Sequence, residues 1–101
     1  MAILEDKRWS GKLFDGGWTD GAGEPIEVRN PATDEVIACV GGATPADVHE
    51  AATAASSAQV AWAGMKPTER AAVLRRAGQL FEENTAEIVD WVVRETGAIQ
   101  P

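Results

Sequence analysis

Asn30-Pro31-Ala32-Thr33-Asp34 lies between two short apolar runs and limits what this chain can fold into more than any other stretch. Pro31 fixes φ at the first corner of a turn, and Thr33-Asp34 tolerate the conformation that follows. Before the turn, Ile26 and Val28 alternate with Glu27 and Arg29, the period of a half-buried strand. After it, Val36, Ala38 and Val40 fall on one face and Ile37 and Cys39 on the other. Two strands joined about Pro31–Asp34 make an antiparallel hairpin.

The chain divides into an extended half, residues 10–40, and a helical half, residues 44–97. Gly16-Gly17 and Gly21-Ala22-Gly23 punctuate the first half, with Lys12-Leu13-Phe14 as a further short run. Residues 41–43, glycine and alanine, end the strand pattern, and three helices are expected beyond them. Thr44 can cap the first, Pro45 suits its first position and Asp47 favours its positive end. Val48, Ala51, Ala52, Ala55, Ala58 and Trp62 recur on one face, and Gly64 ends the helix. Pro67 opens the second, whose stripe is Ala71, Leu74, Ala77, Leu80 and Phe81. Asn84-Thr85-Ala86-Glu87 has the form of a capping box, so a third helix is expected there, closed by Gly97 as a left-handed cap. One unbroken helix from Pro67 onward is the alternative. Ile88, Val89, Trp91, Val92 and Val93 span more than one stripe, so this last helix is expected to be covered on more than one side, by a surface these residues do not supply.

Composition narrows the function classes. Of 101 residues, 18 are alanine and only 26 are large apolar side chains, which makes a thin core. At roughly 25 cal/mol per Å² of buried apolar surface, stability alone is expected to be marginal. The net charge of −7 argues against nucleic acid as a partner. Arg70, Arg75 and Arg76 sit beside Glu69, Glu82 and Glu83 and read as a solvated helix face. No run approaches the ~20 apolar residues of a membrane span, and Met1–Asp6 is no secretory signal. With one cysteine and no internal disulfide available, the expected compartment is the cytoplasm.

No catalytic set emerges from the residues. A cysteine–histidine pair needs both groups within hydrogen-bond reach. Cys39 reads as a small core residue at a strand end and His49 as a surface residue of a helix's first turn. One cysteine and one histidine give no metal-ligand spacing. Gly21-Ala22-Gly23 lacks the third glycine and following helix of a phosphate loop. Gly41-Gly42 precedes a helix N-terminus but has no lysine with it, so turns are the better reading. Glu82, Glu83, Glu87 and Asp90 read as the wet side of two helices. Trp62 and Trp91 read as core or interface.

Taken in order, the Asn30–Ala38 turn, Thr44-Pro45-Ala46-Asp47, Lys66-Pro67-Thr68-Glu69-Arg70 and Arg94-Glu95-Thr96-Gly97 resemble the opening of an aldehyde dehydrogenase subunit, from about Lys12 to Pro101. Trp18 after Gly16-Gly17 is similar to that family's glycine–glutamate–tryptophan opening. Trp9-Ser10-Gly11-Lys12, Trp91-Val92-Val93-Arg94 and the ending Gly97-Ala98-Ile99-Gln100-Pro101 look like bacterial benzaldehyde and vanillin dehydrogenases. The resemblance implies an α/β parent with a Rossmann-type sheet, in which residues 1–101 are the N-terminal part of the cofactor-binding domain. It implies oxidation of an aldehyde, here aromatic, to an acid with NAD or NADP: a cysteine thiolate attacks the carbonyl, hydride passes to the nicotinamide, and a glutamate activates water. An asparagine amide and a backbone N–H hold the oxyanion. All of those residues belong past position 101, so no catalytic or cofactor-binding residue is expected in this chain and no cofactor is expected to bind it. The partners implied are the remainder of the same polypeptide or subunit and, as a homo-oligomer, further copies; the isolated chain is expected to self-associate. Some relatives hold a structural Na⁺ or K⁺, and the matching positions are the backbone carbonyls of Val28 and Arg29 and the acid Glu95. The rival reading is a free-standing interaction or regulatory module with no activity. Coding sequence continuing past Pro101 separates the two.

Overall fold

The computed structural model describes Leu4 and residues 6–99. The remaining residues of the Met1–Asp6 stretch, and the Gln100-Pro101 end used in the resemblance above, lie outside them. A four-residue helix α1 (Asp6–Trp9) leads into a small hairpin of β1 (Lys12–Phe14) and β2 (Trp18–Asp20), then a longer one of β3 (Gly23–Arg29) and β4 (Val36–Gly42). Three helices follow: α2 (Pro45–Gly64), α3 (Pro67–Glu83) and α4 (Thr85–Thr96). The strands-then-helices order is the expected one, with two additions. Trp18 begins a strand of its own, and α1 had no signal in the sequence reading.

The β3–β4 turn closes as its residues dictate. The Asn30 carbonyl accepts from the amides of Thr33 at 3.3 Å and Asp34 at 2.8 Å, and the Asn30 amide donates to the Glu35 carbonyl at 2.9 Å. The Asn30 side chain accepts from the Ala32 amide, and Asp34 takes the left-handed conformation (φ 59°) that aspartate tolerates. Register pairs Ile26 with Val40 and Val28 with Ala38. The strand does not stop at Val40. It runs through Gly41 and Gly42, and the Gly11 amide donates to the Cys39 carbonyl at 3.0 Å, which sets the start of β1 beside β4.

Glycine is needed at that strand end for lack of room. A Cβ on Gly42 would overlap the Glu24 carbonyl oxygen and lie 2.8 Å from its carbon. One on Gly21 would overlap the Gly42 carbonyl oxygen and sit 2.9 Å from Leu13 Cδ1. Gly41 and Gly42 are the only buried residues among those described.

Helix ends follow their caps, with one exception. Thr44 and Asp47 form a reciprocal capping box on α2, and the Glu69 carboxylate accepts the Lys66 amide at the start of α3. Gly97 ends α4 at φ 72°, with its amide donating to the Val93 carbonyl. The exception is Asn84. It breaks α3 from α4, but its side chain donates back to the Leu80 carbonyl at 2.8 Å and makes no cap bond to α4. The Glu87 carboxylate accepts the Leu4 amide at 2.9 Å instead. The expected capping box is therefore replaced by a C-terminal cap and a tertiary tether.

The chain buries little. Its accessible surface is 7564 Å², where a compact protein of its 10.7 kDa exposes about 5,500 Å². Its radius of gyration is 16.5 Å, against about 13 Å for a compact domain of 100 residues. The exposure is concentrated on α2 and α3, whose apolar stripes lie open: Leu74 and Phe81 are each 65% exposed. The broad apolar helix α4 is the better covered one, opposite to expectation. It lies over the β3–β4 hairpin, with Ile88, Val89, Trp91 and Val93 half-buried.

Candidate functional site

Three local arrangements stand out, and none is a catalytic constellation. The first is the N-terminus of α2. The Asp47 carboxylate accepts from the Thr44 amide at 2.8 Å and, across 25 residues, from the Ala22 amide at 3.0 Å. These two backbone donors hold its carboxyl below the ordinary aspartate value. The positive end of α2 is thus already matched by a carboxylate of this chain. Gly41-Gly42 ahead of it are strand residues packed against other backbone rather than turn residues. That segment does not fit a dinucleotide's phosphates: the nearby amides are committed and the glycines face protein.

The second is a cavity of about 190 Å³ between α4 and the hairpin, with Trp9, Val28, Val40, Trp91 and Glu95 in its wall. Trp9 and Trp91 meet edge to face at 5.6 Å, and the Arg94 guanidinium lies 4.3 Å over the Trp91 ring. Trp9 Nε1 is shielded from solvent without a hydrogen-bond partner. Of the residues singled out for a structural cation, Val28 and Glu95 share this cavity and Arg29 does not. The Arg29 guanidinium is engaged by Glu27 at 2.6 Å and by the Asp34 carbonyl at 2.9 Å. Glu95 is the one carboxylate in an otherwise apolar wall.

The third is a trough along α2. Three cavities of about 360, 350 and 500 Å³ share lining residues in series, Phe14 and Ala51 joining the first two and Ala55 and Ala58 the last two. Phe14 is 64% exposed at its head and packs edge to face with Trp18 at 5.2 Å. Trp62 and Met65 stand at its foot. Its floor is the alanine face expected of this helix, lying open.

The singled-out reactive residues stay apart. Cys39 is half-buried on β4, its thiol 3.9 Å from the Val40 carbonyl oxygen, while His49 is exposed on α2, and no hydrogen bond joins them. Among the described residues no group of three His, Cys, Asp or Glu is placed to hold a metal, and no helix is long and apolar enough to cross a membrane. Glu83 pairs with Arg76 and Asp90 with Arg94, both at 2.9 Å on the surface, whereas Glu87 is half-buried. The bond from Ala22 to Asp47 and the Gly21–Gly42 contact had no local signal. Only the density of glycines near 21 and 42 pointed there.

Residues 18–101 match the family model described as the aldehyde dehydrogenase family, and the chain belongs to that family. Within it, the chain is 46% identical over 99 residues to a vanillin dehydrogenase of Amycolatopsis sp., a match over 98% of this chain and 20% of that protein. It is 38% identical over 97 residues to the benzaldehyde dehydrogenase [NAD(+)] of Pseudomonas putida, covering 96% of this chain and 20% of that one. The solved structure of an NAD-dependent benzaldehyde dehydrogenase from Corynebacterium glutamicum superposes with a TM-score of 0.84 at 36% identity, over 97% of this chain and 21% of that one. The chain spans about one-fifth of the length of these relatives.

Proposed function

We propose that these residues are the opening, structural segment of the cofactor-binding domain of an NAD(P)-dependent enzyme that oxidises aromatic aldehydes to acids, and that the segment catalyses nothing by itself. The observation that carries the reading is similarity, over nearly the whole of this chain, to about one-fifth of vanillin and benzaldehyde dehydrogenases, in sequence and in fold. The geometry supports a scaffolding role. Among the described residues no hydrogen bond joins Cys39 to His49, the α2 N-terminus holds Asp47, and α2 and α3 turn apolar faces outward. When bound elsewhere in such an enzyme, NAD(P) supplies the hydride acceptor. What these residues do is hold a hairpin and three helices in fixed relation.

Two measurements test the two halves. Purified chain incubated with benzaldehyde and NAD should form no reduced cofactor above a protein-free blank, and turnover abolished by Cys39→Ala would overturn the structural role. The polypeptide from the complete reading frame that carries this segment should show a higher kcat/KM for benzaldehyde and vanillin than for acetaldehyde. The reverse order would remove the aromatic assignment.

A further inference from the structure

An aspartate followed by glycine is the step at which a main chain most readily rearranges on itself, because glycine has no Cβ to hinder its own amide nitrogen or to restrict the backbone there. The sequence holds two such steps, Asp15-Gly16 and Asp20-Gly21. The fold treats them differently. Asp20 ends β2 in register with Lys12, and its carboxylate meets Lys12 Nζ at 2.5 Å. Gly21 lies so close to the Gly42 carbonyl that a Cβ would overlap it, and the Ala22 amide beyond is bound to the Asp47 carboxylate at 3.0 Å. That step is held at each residue.

Asp15-Gly16 sits at a loop tip, where chemical lability concentrates. The loop, residues 15–17 between β1 and β2, is closed by the Asp15 amide donating to the Gly17 carbonyl at 3.1 Å. Gly16 is exposed at φ 113°, with nothing within 4 Å of the Cβ position of Gly16 or of Gly17. The Gly16 amide makes no hydrogen bond among the described residues, and the Asp15 carboxylate takes one, from the Thr19 hydroxyl to Oδ2 at 3.3 Å.

We propose that Asp15 is a site of spontaneous isoaspartate formation in the folded chain, and that the fold protects Asp20. Water is the only co-reactant. The Gly16 nitrogen bonds to Cγ of the protonated Asp15 carboxyl, its proton leaves with the carboxyl hydroxyl as water, and a succinimide ring closes. Water then adds back at either ring carbonyl. Addition at Cγ restores aspartate. Addition at the main-chain carbonyl breaks that carbon's bond to the Gly16 nitrogen and leaves it as a free carboxylate, so the chain now runs through Cβ and Cγ of residue 15. Mass is unchanged, but the loop gains a main-chain atom between Phe14 and Trp18, register partners whose rings meet at 5.2 Å. Formation of isoaspartate therefore loosens the tip of the β1–β2 hairpin.

The test ages the purified chain at neutral pH and digests it with trypsin, which leaves both steps in the peptide Leu13–Arg29. Electron-transfer fragmentation assigns isoaspartate to residue 15 or 20, and methyl transfer from radiolabelled S-adenosylmethionine by an isoaspartate methyltransferase counts the total. Residue 15 should lead residue 20 by at least about tenfold in the folded chain, and by no more than about twofold in concentrated urea. Equal amounts in the folded chain, an excess at residue 20, or no isoaspartate at either would overturn the site. A lag at residue 20 that persisted in urea would overturn the fold as its cause. Asp15→Glu keeps the charge and moves the carboxyl out of reach of that ring, so methyl acceptance should fall to what the Asp20 step alone gives; an unchanged total would also overturn the site. Lys12→Ala should raise the isoaspartate at residue 20 in the folded chain, and no rise would remove Lys12 from the protection.

Discussion

Replacing Gly42 by alanine tests whether the hairpin's tight end is set by backbone contact. The added Cβ overlaps the Glu24 carbonyl oxygen and stands 2.8 Å from Glu24 C and 3.0 Å from Gly23 C. All three neighbours are backbone atoms of the paired strand, so no side chain can swing aside. The strands must part near the Gly23–Gly42 pair. Over-packing of this kind costs about 1–3 kcal/mol, and a ladder hydrogen bond lost with it adds about 1 kcal/mol, giving roughly 2–4 kcal/mol in all. For a domain of this size each kcal/mol moves Tm by about 4–8 °C, so Gly42→Ala should melt at least about 8 °C lower. Gly78→Ala is the matched control. Gly78 lies inside α3 at ordinary φ with nothing within 4 Å of its Cβ position, and alanine there should stabilise by about 0.5–1 kcal/mol. Far-UV circular dichroism measures both, and amide exchange at Val28 and Val40 locates the damage. Two variants melting within about 2 °C of each other would refute the close-contact account.

Asp47 gives a pH signature. Its folded value is lowered by the Thr44 and Ala22 amides, so its contribution is complete above the ordinary value near 3.9 and drains away as pH falls through the lower folded value. The stability gap between the parent and Asp47→Asn should therefore shrink between about pH 5 and pH 3, and a gap that held constant would refute the charge assignment. A Trp9→Ala/Trp91→Ala double-mutant cycle should return a coupling of about 0.5–1.5 kcal/mol from their edge-to-face contact, and additive losses would contradict it. Amide exchange on the free chain should be fastest in α2 and α3 and slowest in β3–β4 and α4, because the first two carry the least cover. Uniform protection along the chain would show that the open faces cost nothing.

What could be read from the residues was the part governed by neighbours in sequence. The Asn30–Asp34 turn, the Thr44–Asp47 box, Pro67 and Gly97 each place their own element, because each acts through bonds spanning five residues or fewer. The hairpin faces followed from alternation, and Val28, Ala38 and Val40 line one cavity with Trp91 and Glu95 of α4. What escaped was set by distant chain. Asn84 has the form of an N-cap yet bonds backwards, since Glu87 is engaged by the Leu4 amide from the other end of the sequence. Gly41-Gly42 resembled a turn and is strand, because the space beside it is taken by Glu24 and Lys12 backbone.

The apolar pattern points to α4 as the helix short of cover, whereas α2 and α3 are the exposed ones, for a physical reason. Ile88, Val89, Trp91, Val92 and Val93 wrap much of the circumference of α4. Circumference measures demand for cover, and supply depends on what the chain brings to that face. Here the supply is present: Trp9 reaches Trp91, Glu87 tethers Leu4, and Gly97 brings the end of α4 within 3.3 Å of Pro31, measured from its would-be Cβ. α2 and α3 make more modest demands, one stripe each, and among the described residues those stripes stay largely exposed. A helix with a single open stripe is thereby a better indicator of missing protein than a helix apolar on most sides. The chain consequently holds a self-supported portion, hairpin with α1 and α4, and two helical arms whose stripes await cover. That division, rather than any reactive group, is what these residues carry into the enzyme proposed for them.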